Sequence, residues 1–327
     1  MTNYICGCKN NFYNNENIMM LLPCEHFIHE KCVYKLILHN KKQCLICNTF
    51  ISDIISEDII NRKLIYKQNK IDLLSIRIPN DCQINYMTLP MAIIKFNAIM
   101  NKLIITQTKE ELNDLVEHIM HLCNIKINII DNTKKNPIIY DNKTIKWINK
   151  KDINRKIVLT PTHSHYIDSF IMYYLFKCGF VASDFINTID IGRIIAQKAD
   201  LLIFRRNKDK NMVEKIKEYL KTHNRIVLYP EGALSNQNTI MEFRTGAFYT
   251  DASICPIVIK YDPFPYDDNM QKLIFKLITA PEIKVTVIIN DLFHPPFNKD
   301  SINKVRDIMA KSGNLDKSRV SNKLITE

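Results

Sequence analysis

The sequence predicts an α/β protein: a mixed sheet flanked by helices, with a small N-terminal module organised by two metal ions. Three observations carry this expectation. Six of the ten cysteines fall before residue 48, interleaved with histidines. From about residue 125, short β-branched runs alternate with helical stretches, as in a sheet covered on its faces. Motifs rich in His, Asp, Arg and Glu follow directly on strand candidates, where ligands of such sheets sit.

At the N-terminus the order is Cys6-x-Cys8, fifteen residues, Cys24-x-His26-x2-His29-x2-Cys32, eleven residues, and Cys44-x2-Cys47. These eight sulfur and imidazole donors fall in four pairs, enough for two tetrahedral Zn²⁺ sites. So short a segment buries too little apolar surface to fold alone. Structural zinc contributes roughly 10–16 kcal/mol in small finger peptides. The leading "MTNYICGC" has no apolar leader core, so an intracellular, cytoplasmic setting is expected, where clustered cysteines hold metal rather than form disulfides.

The central "CEHFIHEKC" resembles the RING finger family in its H2 variant, over residues 1–55. The resemblance implies that ligand pairs one and three share an ion, namely Cys6, Cys8, His29 and Cys32. Pairs two and four share the other, namely Cys24, His26, Cys44 and Cys47. It also implies a ubiquitin-conjugating enzyme as partner, with Ile5, Leu45 and Ile46 as part of its surface. Two departures stand out. The first pair is separated by one residue instead of two, and Asn48 stands where many active ligases have a basic residue.

Residues 56–105 read as a helical connector interrupted at Pro79 and Pro90. Within it, "YMTLPMAIIKFNAIMNKLII" is broken by Lys95, Asn97, Asn101 and Lys102. That suits an amphipathic helix lying on a membrane surface, not one crossing the bilayer. The remaining domain, 106–327, opens with "TKEELNDLVEHIMHLC", where Thr108 and Glu111 form a capping box ahead of Leu112, Leu115, Val116, Ile119 and Leu122. Strand candidates are "KINII", "KIVLT", "DLLIF", "RIVLY", "CPIVIKY" and "KVTVII"; the helical stretches are "SFIMYYLFKC", "GRIIAQKA", "MVEKIKEYLK" and "KDSINKVRDIMA".

The formal charge of +11 favours anionic partners such as phosphates, CoA and anionic lipid headgroups. The basic residues are spread along the chain without an RNP or helix-turn-helix signature, so nucleic acid is not expected. The absence of a G-x-S-x-G elbow excludes a hydrolase of that type.

The chemistry concentrates in "TPTHSHYIDSF", residues 160–170. A helix starting near Tyr166 lets Asp168, in its first turn, meet a histidine in the preceding loop. The aspartate would fix the imidazole tautomer, leaving the other ring nitrogen to take a proton from a hydroxyl. Spacing leaves both His163 and His165 open as the base. "LLIFRRNKDKN" ends a strand with Arg205 and Arg206, and "LYPEGALSNQ" ends another with Glu231 and Gly232.

In this order the motifs resemble the glycerolipid acyltransferase family. They are His163 to Asp168, Phe204-Arg205-Arg206, Pro230-Glu231-Gly232, and Pro256 in "CPIVIKYD". The resemblance covers residues 85–315 and is nearest, in "FRTGAF" and "IKYDPF", to glycerol-phosphate and lysophosphatidylcholine acyltransferases. It implies the acyltransferase fold, acyl-CoA as co-substrate and a lysophospholipid or glycerol phosphate as acceptor. It selects His163 as base, oriented by Asp168. Arg206, with Arg205, would hold the acceptor phosphate, and Glu231 and Gly232 would shape the acceptor site. Thr162, Ala233 and Leu234 depart from the usual residues at their positions. The alternative is a RING-type ubiquitin ligase or adaptor whose acyltransferase-like domain only binds lipid.

Overall fold

The computed structural model describes residues 18–22, 24, 26–38, 41–56, 83–105, 108–184, 186, 198–205, 211–267 and 270–321. The chain forms two compact units. The first comprises Met1–Pro79, Ala233–Glu242 and Asp316–Glu327; the second comprises Asn80–Gly232 and Phe243–Leu315.

The first unit opens with β1 (Ile18–Leu22), which pairs antiparallel with β2 (His26–His29). Helix α1 (Glu30–Leu38) follows, and β3 (Asp53–Ser56) pairs with the other edge of β1. Met19 and Leu21, two apart on β1, point to one side of the sheet. They join Ile28, Cys32, Val33, Leu36 and Cys44 in a buried cluster.

In the second unit α2 (Leu89–Ile105) precedes α3 (Lys109–Leu122). Pro90, expected to interrupt a helix, is instead the second residue of α2. There the first N–H groups have no intrahelical partner, so proline's missing donor costs nothing. The Thr108–Glu111 capping box forms as expected, with Glu111 N–H donating to Thr108 Oγ1 at 3.1 Å and Thr108 N–H to Glu111 Oε2 at 3.0 Å. Leu112, Leu115 and Val116 are buried, while Ile119 and Leu122 are only half-buried.

The sheet-forming chain then runs β4 (Ile125–Asp131), β5 (Ile138–Tyr140), β6 (Ile145–Trp147), α4 (Lys150–Ile153), β7 (Ile157–Pro161), α5 (Asp168–Phe176), β8 (Gly179–Ser183), β9 (Leu202–Phe204), α6 (Met212–Thr222) and β10 (Arg225–Val227). β11 (Thr239–Glu242) belongs to the first unit. The second unit resumes with β12 (Ser253–Asp262), α7 (Met270–Thr279), β13 (Ile283–Ile289) and α8 (Lys299–Gly313). β14 (Asp316–Ser321) returns to the first unit, parallel to β11.

The main sheet has the order β4-β13-β12-β7-β10-β8-β9. Every pairing is parallel except β12 with β13, so the sheet is mixed, as expected. The six strand candidates are β4, β7, β9, β10, β12 and β13. The stretch "GRIIAQKA" lies largely outside the described residues. Strand β8, the β5–β6 hairpin and helix α7 were not expected. All five residues of β7 are buried, as are eight of the ten in β12. Central parallel strands covered on both faces read as continuous apolar runs rather than alternations.

Pro256 sits in a central strand, where proline is unusual. Its carbonyl accepts the Asn290 N–H at 3.1 Å, just past the end of β13. The donor it lacks would therefore face a position where the β12–β13 ladder has not begun.

Candidate functional site

β7, β10, β8 and β9 are mutually parallel, so their carboxyl ends share one edge of the sheet. His163 follows β7, Glu231 follows β10 and Arg205 follows β9. This is the edge at which open α/β sheets bind ligands.

Thr162 anchors the turn after β7. Its N–H donates to the Ile257 carbonyl at 3.0 Å, and its Oγ1 accepts the Ile259 N–H at 2.9 Å. The turn then wraps around one carboxylate. Oδ2 of Asp168 accepts Nδ1–H of His163 at 3.0 Å and the backbone N–H groups of Ser164 and His165 at 2.9 Å each. Oδ1 accepts the hydroxyl of Tyr261, which stands on β12. Asp168 is completely buried. A buried carboxylate is stable as an anion only with such donors, and the positive end of α5 adds to them.

The hydrogen bond at Nδ1 fixes the His163 tautomer and leaves Nε2 as its basic nitrogen. The ring stacks on Tyr229, with centroids 3.9 Å apart and an interplanar angle of 21°. Tyr229 in turn pairs its hydroxyl with Ser169 Oγ at 3.1 Å. Burial, with Asp168 nearby, holds both the Tyr229 and the Tyr261 phenol well above its ordinary pKa, so both remain protonated.

The two histidines differ completely. His165 is buried, donates Nε2–H to the Pro265 carbonyl at 2.6 Å and accepts the Ile167 N–H at Nδ1 at 3.0 Å. Both ring nitrogens are engaged, and burial lowers its pKa to about 4. It is a neutral brace across the turn with no nitrogen to offer a substrate.

Glu231 is also completely buried, and its Oε1 accepts the His163 N–H at 3.1 Å. Gly232 has φ 67, in the left-handed region that favours glycine, and donates its N–H to the Tyr229 carbonyl at 3.1 Å. The Glu231–Gly232 turn is thus tied to the His163 turn. Arg205 is exposed at the end of β9, three strand spacings from β7, or about 14 Å across the sheet. Arg206 lies outside the described residues. Tyr261 and Tyr229 were not singled out from the sequence. The available signal was a tyrosine ending a continuous apolar strand, since a buried phenol needs a partner.

In the first unit Cys24, His26, Cys44 and Cys47 bring their ligand atoms within 4.8 Å of one another. Cys44 Sγ lies 3.8 Å from His26 Nδ1. Ligands about 2.0–2.3 Å from a tetrahedral zinc are separated by nearly that distance, so three thiols and one imidazole fit such an ion. The Ile46 N–H points to Cys44 Sγ at 3.4 Å, and Asn48, at φ 59, closes the Cys44–Cys47 turn with its N–H on the Cys44 carbonyl at 2.8 Å. Asparagine tolerates that left-handed conformation. The hydroxyl and backbone amide of Thr49 bring the Cys47 thiol down to about 6, favouring the thiolate that binds metal. His29 Nδ1 and Cys32 Sγ lie 3.8 Å apart. Their expected partners Cys6 and Cys8 lie outside the described residues.

Residues 130–260 match the family model described as Acyltransferase. The chain is 28% identical over 144 residues to glycerol-3-phosphate acyltransferase 3 of Xenopus laevis, covering 38% of this chain and 31% of that protein. It is 26% identical over 147 residues to the lysophospholipid acyltransferase LPEAT2 of Arabidopsis thaliana, covering 41% and 27%. The matched region thus spans about a third of these relatives or less. Among solved structures, the 1-acyl-sn-glycerophosphate acyltransferase PlsC of Thermotoga maritima aligns with a TM-score of 0.46 and 13% identity, over 70% of this chain and 91% of that one. The residues that match the Acyltransferase model carry the His163–Asp168 pair, the Glu231–Gly232 turn and most of β12.

Proposed function

We propose that this chain transfers an acyl group from an acyl-CoA thioester to a hydroxyl of glycerol phosphate or a lysophospholipid. The observation that carries this reading is the Asp168–His163 hydrogen bond at 3.0 Å, which leaves Nε2 as the base. Nε2 takes the acceptor's hydroxyl proton as its oxygen attacks the thioester carbonyl. The C–S bond then breaks, and the imidazolium returns the proton to the CoA thiolate. Products are an ester and free CoA, with no acyl-enzyme. Imidazolium formation is favoured by the Asp168 carboxylate beside it. Arg205, at the carboxyl edge of the sheet, would hold the acceptor phosphate together with Arg206. Acyl transfer from labelled acyl-CoA to a panel of glycerol phosphate and lysolipids tests the reading. His163→Ala should lose at least about 10²-fold in kcat; unchanged turnover would remove His163 as base.

In this reading the protein works peripherally at a membrane inside the cell, and residues 1–55 are a RING-type module with two structural zinc ions. Cys24, His26, Cys44 and Cys47 would hold one ion; Cys6, Cys8, His29 and Cys32 would hold the other. Zinc supplies folding energy there, not transfer chemistry. One observation favours a second reading, ubiquitin ligation. Leu45 and Ile46, between the ligands Cys44 and Cys47, are 46% and 43% exposed, and Phe50 is exposed as well. They would meet a ubiquitin-conjugating enzyme. An autoubiquitination assay that succeeds while every acyl acceptor fails would favour that reading.

A further inference from the structure

Asp168 receives three of its four donors from its own turn and one from elsewhere. Ser164, His165 and His163 all bond Oδ2. The hydroxyl of Tyr261, 93 residues along the chain and on a central strand, bonds Oδ1. A carboxylate only accepts, so the phenol is the donor. Its ring is fixed on both sides, tilted against His165 at 5.4 Å and edge-on to Phe264 at 5.8 Å. Tyr261 is 4% exposed, so water does not replace it freely.

We propose that Tyr261 is a positioning residue of the transfer centre, acting through Asp168 to hold the His163 imidazole in its base-ready tautomer and orientation. The inference rests on the acyl-transfer reading of the site. The phenol divides the carboxylate's charge between two directions. It also fixes the carboxylate plane relative to β12, the strand that Thr162 ties to the turn. Without it, Oδ1 loses this donor in a site closed to solvent. The carboxylate's charge is then shared less with β12 and concentrates on the histidine side. That stabilises the imidazolium and makes the free base form of His163 less available at low pH.

Tyr261→Phe tests this with one atom removed and the ring packing kept. Two readouts are needed on the full chain: the His163 titration followed by NMR of the labelled imidazole, assigned by its loss in His163→Ala, and the pH profile of acyl transfer. The expected result is an upward move of the His163 midpoint. With it, kcat should fall about tenfold while KM stays within about twofold, as removal of one charged hydrogen bond implies. In an Asp168→Asn background the same change should cost little further, because both substitutions act on one hydrogen-bonded unit. An unmoved His163 midpoint in Tyr261→Phe would overturn the proposal, as would full additivity with Asp168→Asn. If the wild-type chain transfers no acyl group, the acyltransferase reading fails by itself. The His163 titration still decides the role of Tyr261.

Discussion

The backbone N–H of His163 donates to Oε1 of Glu231 at 3.1 Å, so a fully buried carboxylate after β10 holds the main chain of the turn after β7. Sequence reasoning put Glu231 at the acceptor; this bond also ties it to the backbone of the base. Glu231→Gln keeps an acceptor oxygen and should fold with a modest loss of turnover. Glu231→Ala leaves the His163 N–H without this partner and should destabilise the chain by about 1–3 kcal/mol in urea unfolding. It should also lower kcat well below the Gln variant. A rise confined to the acceptor KM, with kcat intact, would return Glu231 to the acceptor.

His165 predicts a pH dependence of stability. Burial lowers its folded pKa to about 4 from 6.5, so as pH falls the unfolded chain takes up the proton first. The stability linked to this ring is fully present above pH 6.5 and is lost as pH falls toward 4. The total is on the order of 3 kcal/mol. Urea midpoints measured across that window should fall steeply for the wild type and less steeply for His165→Asn, which does not titrate. Parallel curves would show that the ring is not the sensitive group.

The contrast between these histidines marks the limit of what the sequence shows. The six strand candidates and the Thr108 capping box depend on neighbours in the chain, and they are readable there. His165 is decided by Pro265, 100 residues away, and Asp168 by Tyr261, 93 residues away. Local spacing leaves the two imidazoles equivalent; only the fold engages both nitrogens of one and spares a nitrogen of the other. β8 was missed because "GFVAS" has one strongly apolar residue beyond its valine, and its place is set by packing. A Cβ on Gly179 would overlap the Asp200 carbonyl and the Tyr219 hydroxyl. Asn48, read from sequence against a ligase pattern, is explained by its left-handed φ of 59 in the Cys44–Cys47 turn.

Metal removal should be felt in a segment distant in sequence from the cysteines. Met241 lies in the buried cluster with Cys44, and Ala233 packs against that cluster with Cys24. With zinc on Cys24, His26, Cys44 and Cys47, as proposed, a chelator would release both sulfurs. Amide exchange in residues 233–242 should then accelerate together with that of residues 18–56, while β7 and β12 keep their protection. Zinc content by elemental analysis should fall with Cys44→Ser in the same way. Unchanged exchange in 233–242 after verified zinc loss would show that the cluster holds itself together without the ion.

The exposed face of α2 predicts attachment to a membrane surface. Met91 and Ile94 are spaced for one face of α2 and are 58% and 62% exposed, with exposed Tyr86 and Met87 in the turn just before the helix. Lys95 stands exposed beside them. Among the described residues no helix is long and apolar enough to cross a membrane. Burying a large apolar side chain contributes about 1.5–3 kcal/mol, so several together, with a net charge of +11 drawn to anionic headgroups, suffice for reversible binding. Vesicles of phosphatidylcholine doped with phosphatidylglycerol should sediment the wild-type chain, and added salt should weaken that binding. Met91→Glu with Ile94→Glu should abolish it without lowering the melting temperature, because neither side chain contributes to the core. Equal sedimentation of the double variant would place the contact elsewhere on the basic surface.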